Sequence, residues 1–202
     1  MADRLATDTQ PVTPVRNFGA WMADEQKRVF LLCYRMLQDR DEADSVTQDV
    51  FLKAYKSFQK GEMEQLDDPA KWLTRVAVNT CLDVLRSRRW KFWRQRPKQQ
   101  DEELILKSTS GGEPSAEDQV FARQIQQRLT EAIAKLSDRQ RAVFTLRHFE
   151  DYAMDEIART LGLDVGTVKA HMARAMAKMR EELKDLYRAK GAAAGSAVVS
   201  GN

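Results

Sequence analysis

Two cysteines and two histidines are the whole supply of soft metal ligands in this 202-residue chain. Cys33 and Cys81 each sit in an apolar helical pattern, and neither has a second Cys or His at ligand spacing, so both read as buried thiols rather than as a zinc cluster. The chain has no phosphate-cradling glycine loop and no nucleophile placed beside a base, and His148 and His171 stand alone. That argues against an enzyme and leaves no cofactor to expect. Long apolar runs are missing too: the longest, Val29 to Tyr34, falls far short of the roughly 18 residues a membrane helix needs. Asp3 and Arg4 stand where a signal peptide needs an apolar core, so the expectation is a cytoplasmic protein with no membrane insertion. No stretch of useful length alternates with strand period. Net charge is only +3, which by itself says little about a nucleic-acid partner.

The chain does have amphipathic helical patterning and a polarised distribution of charge. With 43% hydrophobic and 31% charged residues its balance is globular. Arg86, Arg88, Arg89, Lys91, Arg94, Arg96 and Lys98 form a run without an acid, whereas Asp39, Asp41, Glu42, Asp44 and Asp49 crowd an earlier segment. Apolar residues recur at helical spacing through Val29–Leu37, Val46–Phe58 and Trp72–Leu85, and each stripe requires neighbours to cover it. Between residues 95 and 117 the composition turns to Gln, Ser, Thr, Gly and Pro. Helical spacing resumes with Val120, Phe121, Ile125, Leu129 and Ile133, and Ser137 with Gln140 forms a possible capping box. The expected fold is all-α, with two small helical domains joined by a flexible linker. The expected boundaries are a mobile arm at 1–17, a bundle at 18–94, the linker at 95–117, a second helical domain at 118–188 and a disordered tail at 189–202.

The segment DEIARTLGLDVGTVKAHMARA, Asp155 to Ala175, reads as a helix-turn-helix. Ile157 and Leu161 form an apolar pair on a first helix, and Ala158 is small enough to let a second helix cross closely. Gly162 suits a left-handed stop, Leu163 plugs the angle between the helices, and Asp164 is placed to cap the second one. Val168, Met172, Ala175 and Met179 recur as its apolar stripe. Thr167, Lys169, Ala170, His171, Arg174 and Lys178 are thereby left as candidates for a DNA groove and its phosphates. A helical hairpin with a solvated basic face is the competing reading, and the register of Ala, Gly, turn and Val favours the DNA motif.

A second constellation lies in WLTRVAVNTCLDVLRSRRWKFW, Trp72 to Trp93. Arg75, Asn79, Asp83 and Arg86 fall along one side of a helix that runs on into the Arg- and Trp-rich tract of Arg88 and Arg89. Such a row suits single-stranded nucleic acid, since arginine neutralises phosphates while planar groups stack on bases. Read alone, Asp83 and Arg86 could equally be an ordinary surface ion pair, with Trp90, Phe92 and Trp93 as core residues.

Taken together, the two constellations, their order and the linker between them resemble the extracytoplasmic-function sigma factors of bacterial RNA polymerase. DEADSVTQDVFLKAY (Asp41–Tyr55) is similar to the polymerase-binding part of region 2, Trp72–Arg89 to the strand-opening helix, and Leu136–Ala175 to region 4. Nothing resembling region 3 fits between them. The resemblance implies a transcription initiation factor that directs core polymerase to promoters, with Asp44, Gln48, Asp49 and Phe51 facing polymerase. It further implies that Arg75, Asn79, Asp83, Arg86, Arg88 and Arg89 border the opened −10 strand, and that Thr167, Lys169, Ala170, His171, Arg174 and Lys178 face the −35 duplex. Core RNA polymerase, promoter DNA and an anti-sigma protein are the implied partners.

The chain departs from the family in two places. Ala170–His171 stands where a Ser-Arg pair is usual, which removes a bidentate guanine partner worth about 1–3 kcal/mol of discrimination. The loop at Gln59–Pro69, which corresponds to the family's base-capturing loop, carries Glu62, Glu64, Asp67 and Asp68. A carboxylate there can accept a hydrogen bond from the N4 amino group of an extruded cytosine. A free-standing helix-turn-helix regulator and a sigma-like decoy that binds only an anti-sigma protein are the rival readings. The large acidic N-terminal bundle argues against the first, and the retained Asn79, Arg86, Lys169 and Arg174 argue against the second.

Overall fold

The computed structural model describes Val15, residues 17–92 and residues 116–198. The expectations for residues 1–14, for most of the linker and for the last four residues lie outside the described residues. Seven α-helices follow in order among them: α1 (Phe18–Leu37), α2 (Arg40–Gln59), α3 (Pro69–Phe92), α4 (Ala116–Ala134), α5 (Asp138–His148), α6 (Met154–Leu161) and α7 (Val165–Val198). A 3-10 turn at Glu62–Gln65 lies between α2 and α3, and no strand occurs among the described residues.

Local chemistry sets the helix ends. Asn17 Oδ1 accepts the Ala20 N–H at 3.1 Å to start α1, and Asp39 Oδ1 accepts that of Glu42 at 2.9 Å to start α2. Asp41 and Glu42 in the first turn of α2 complement the helix dipole. Asp68 Oδ1 caps α3 by accepting the Lys71 N–H at 2.9 Å, with Pro69 pre-set at the first helical position. One of the four acidic side chains of the 59–69 loop is therefore already committed to the backbone.

Helices α1, α2 and α3 pack as a bundle around Val29, Leu32, Cys33, Met36, Val50, Leu73, Val78 and Cys81, all of them sealed from solvent. Both thiols are free and buried. Burying side chains of this size contributes about 1.5–3 kcal/mol each relative to exposure. Helices α4 to α7 form a second group around Ile133, Val143, Leu146, Ile157, Val168 and Ala175. These groups do not stand apart: α1 packs on α5 and α4, α3 packs on α5 and α6, and the buried apolar residues of both form one cluster.

The chain ends differ from the composition-based reading. Val15 is 5% exposed, so burial begins before the first helix. Helix α7 continues to Val198, well past Arg188. Ala189, Ala192, Ala193, Ala194 and Ala197 are the strongest helix formers, and they sustain a helix where low complexity alone suggested disorder.

Candidate nucleic-acid interface

Helices α6 and α7 with the turn between them have the geometry of a helix-turn-helix. Gly162 takes φ 62 and ψ 41 and ends α6, with its N–H bonded to the Ala158 carbonyl; the Leu163 N–H reaches the same carbonyl at 2.9 Å. Asp164 Oδ1 accepts the Thr167 N–H at 2.7 Å and Oδ2 accepts the Thr167 hydroxyl, which caps α7. These bonds hold the Asp164 carboxyl below its ordinary range, the Thr167 hydroxyl contributing most. Val168, Met172, Ala175 and Met179 are buried against α4, α5 and α6. Lys169, Ala170 and Arg174 are exposed along the opposite side, with Val165 exposed at the helix start.

Three of the candidates on α7 are partly engaged. Thr167 is half-buried as Asp164's partner, so it positions the helix start rather than offering a free hydroxyl. Lys178 donates to the Lys135 carbonyl across the α4–α7 contact. His171 is half-buried, and its Nδ1 lacks a hydrogen-bond partner. Burial, then the charges of Arg174 and Arg139, push its imidazole below the ordinary histidine range, so it is neutral at pH 7 and able to make one bond.

On α3, Arg75, Asn79, Asp83 and Arg86 are all exposed in one row. Arg86 and Asp83 pair at 3.2 Å with both side chains more than two-thirds exposed, a contact worth at most about 1 kcal/mol that a phosphate can displace. Arg88 is a correction. Its Nε donates to Glu42 Oε1 at 2.8 Å, Nη1 donates to the Leu37 carbonyl at 3.2 Å, and Asp39 lies at 3.7 Å. It fastens the α1–α2 corner and is not free to meet an opened strand, because acids 46 and 49 residues away in sequence occupy it. The side chain of Arg89 lies outside the described residues.

Helix α2 turns an acidic and apolar face outward. Asp41, Asp44, Gln48 and Asp49 are exposed, with Gln48 Nε2 donating to Asp44 Oδ2 at 2.9 Å. Phe51 is a second correction: it is 7% exposed and packs edge-on against Trp21 with ring centroids 6.4 Å apart. Its neighbour Leu52 is 58% exposed, and Tyr55, one turn on, is 44% exposed. The signal was present in the sequence, since Val50, Phe51 and Leu52 are consecutive and a helix turns about 100° per residue, so all three cannot face one core. An open groove of about 590 Å³ adjoins this face, lined by Lys27, Phe30, Arg40, Asp41 and Asp44 among others. In the 59–69 loop, Met63 is buried as an anchor while Glu62, Glu64 and Asp67 remain exposed. No group of three or more metal-ligating side chains gathers among the described residues. No helix among them is long and apolar enough to cross a membrane.

Comparison with known proteins follows these divisions. The family description "Sigma-70 region 2" matches residues 16–91, and "Sigma-70, region 4" matches residues 126–179. The two together take in more than half of the chain. The extracytoplasmic-function RNA polymerase sigma factor SigW of Bacillus subtilis is 29% identical over 162 residues, which cover 79% of this chain and 84% of SigW. The RNA polymerase sigma-E factor of Streptomyces coelicolor is 27% identical over 169 residues, covering 84% and 87% of the two chains. Among solved structures, the sigma factor RpoE of Bartonella quintana, in complex with the anti-sigma factor NepR, aligns with a TM-score of 0.63 at 19% identity. That alignment covers 83% of this chain and 96% of RpoE. CnrH in complex with the cytosolic domain of CnrY aligns with a TM-score of 0.51 at 21% identity, over 83% and 88%.

Proposed function

The chain belongs to the sigma-70 family as an extracytoplasmic-function sigma factor, and from that premise we propose how its own residues divide the work of initiation. The outer face of α2, with Asp44, Gln48, Asp49 and the exposed Leu52, docks on core RNA polymerase. Its acids suit a basic helical surface, and Leu52 supplies the apolar contact that gives such a dock lifetime. The row Arg75, Asn79, Asp83 and Arg86 on α3 borders the single-stranded −10 element. Lys169, Ala170, His171 and Arg174 on α7 face the −35 duplex, while Thr167 and Lys178 hold that helix in register.

The factor contributes promoter selection and strand opening, and the polymerase performs the chemistry. Extruding bases costs a few kcal/mol per step. Two modest DNA contacts carried on one chain and both held on polymerase can supply that through effective concentration. Because polymerase and promoter are its partners, its place of action is the cytoplasm. The two solved relatives were captured with anti-sigma factors, which supports the same kind of inhibitor for this chain.

The observation that carries the assignment is that three exposed surfaces of different chemistry lie on three different helices: acidic and apolar on α2, Arg and Asn on α3, basic on α7. Purified protein with core polymerase on a library of promoter fragments tests it. Specific run-off RNA that requires both components is the expected result. Operator binding without polymerase would support a free-standing regulator, and capture by an anti-sigma protein with no DNA binding would support a decoy.

A further inference from the structure

The contact between the two helical groups is built around one buried ion pair that the promoter-reading surfaces do not use. Glu150, in the turn after α5, is only 3% exposed at its side chain and accepts Arg28 Nη1 of α1 at 2.5 Å. The same guanidinium donates through Nε to Glu25 at 2.6 Å and through Nη1 to the Thr74 hydroxyl of α3 at 2.8 Å. One side chain thus ties α1, α3 and the α5–α6 turn together. Around it, the Arg35 guanidinium lies 4.1 Å from the centre of the Phe149 ring, and Lys71 pairs with Glu156 at 2.6 Å. The Tyr152 hydroxyl faces the Lys71 carbonyl at 3.4 Å.

The contact is not fully satisfied. Glu150 Oε1 and Arg35 Nε are buried without hydrogen-bond partners. Burial pushes the Glu150 carboxyl above its ordinary range despite Arg28 beside it. Burying charges costs several kcal/mol per ion, recovered only when every lone pair and proton is matched. An interface of this kind closes with little net gain, and so it is able to open.

Its closed geometry conflicts with reading a promoter. Helix α3 packs on α6 and α6 packs on α7. At about 8–10 Å per helix contact, the two DNA-facing helices are about 20 Å apart. Elements centred at −10 and −35 are separated by about 85 Å along duplex DNA at about 3.4 Å per base pair. Residues 93–115, fully extended, reach about 80 Å, enough to let the groups separate widely. The surfaces needed to start the process are not consumed by closure. Helix α2 packs on α1, α3 and the 3-10 turn, and α7 packs on α4, α5 and α6.

We propose that Arg28 and Glu150 are the hub of an intramolecular latch, in which the socket of Arg28 and Arg35 on region 2 holds the Phe149–Glu150 turn of region 4. The latch keeps the free chain from engaging both promoter elements. Docking on polymerase through α2 and separation of the two regions are then distinct steps. This inference rests on the sigma-factor reading, but its test is independent of it.

Dyes attached to cysteines introduced at the exposed positions Lys56 and Arg180 report the separation of the groups in the full chain by energy transfer. High transfer is expected in the unmutated background and a clear fall in Glu150→Arg. Transfer should return in the double charge swap Arg28→Glu/Glu150→Arg, with helical circular dichroism unchanged throughout. Glu150→Arg should also bind a fragment carrying both elements, without polymerase, about tenfold tighter than the parent. Equal transfer in parent and Glu150→Arg, or a loss that the double swap does not restore, overturns the latch. High transfer that depends on protein concentration assigns the socket to a second copy of the chain and likewise overturns it. Run-off transcription by the parent with core polymerase is scored separately; its absence sinks the sigma-factor reading whatever the dyes report.

Discussion

Arg141, in the first turn of α5, donates through Nη1 to the carbonyl of Met36 at 2.7 Å, joining residues 105 positions apart. Its Nη2 donates to the carbonyls of Ala134 and Leu136 at 3.0 and 3.1 Å. One buried cation therefore sits at the C-terminal ends of α1 and α4 together, where orphan carbonyls and the negative end of the dipole favour it. Burial pulls its pKa down from the usual arginine value, yet it stays charged at any physiological pH. Arg141→Met should strand these carbonyls and cost about 3 kcal/mol. The thermal midpoint should fall by about 6–12 °C; a change within error in a melting experiment would show that water replaces the guanidinium.

Gly162 offers a cleaner test of backbone strain. A Cβ there would meet nothing within 4 Å, but the residue sits at φ +62. Gly162→Ala should destabilise the fold by about 1–2 kcal/mol through conformation alone. Denaturant unfolding should show a lower midpoint with an unchanged slope.

The Lys71–Glu156 pair predicts a pH dependence. Lys71 and the Ala153 N–H hold the Glu156 carboxyl below its usual range, Lys71 contributing most. A depressed carboxyl contributes stability that is fully present above its unfolded value of about 4.5 and is lost as pH falls through the folded value. Melting of Glu156→Gln should therefore start below the parent at pH 7, and the gap should close as pH drops from about 5 toward 3. A gap that persists at the acid end would mean that Glu156 acts through packing rather than charge.

Polymerase docking and −35 reading should separate by mutation. Leu52→Asp and Asp49→Arg are expected to weaken capture by core polymerase by about 1–2 kcal/mol each and to leave −35 duplex binding intact. Arg174→Ala should do the reverse, costing about 1–3 kcal/mol of −35 binding. Loss of both activities in both sets of variants, measured by polymerase pull-down and duplex titration, would contradict the division of labour.

The acidic loop also divides. Alanine at Glu64 or Asp67 should change base preference at the −10 element, assayed by transcription from a randomised promoter set. Asp68→Ala should instead cost about 1 kcal/mol of stability through its lost helix cap. An unaltered preference in both loop variants would show that neither carboxylate reads an extruded base.

The helix-turn-helix was legible in the sequence because its determinants are local. Gly162, Asp164, Ala158 and the stripe from Val168 to Met179 act within one or two turns of each other, and spacing alone reveals them. Arg88, Phe51 and Arg141 were misread or passed over for the opposite reason. Periodicity tells which side of a helix is apolar but not which neighbour covers it, and a basic run such as Arg86–Lys98 does not reveal that one member is engaged by acids more than 40 residues earlier. The pairing of Arg28 with Glu150 spans 122 residues. Nothing in either segment alone marks it.

The order of the helices also bears on how the molecule is made. The α1–α3 bundle is complete in sequence by Phe92, with its own sealed interior, before any residue of α4 has been added. On a translating ribosome it can collapse first and wait as a finished platform. The end of α1, with the Met36 carbonyl still exposed, is then a seat left vacant until Arg141 emerges, so the nascent C-terminal half assembles against a surface already in its final shape.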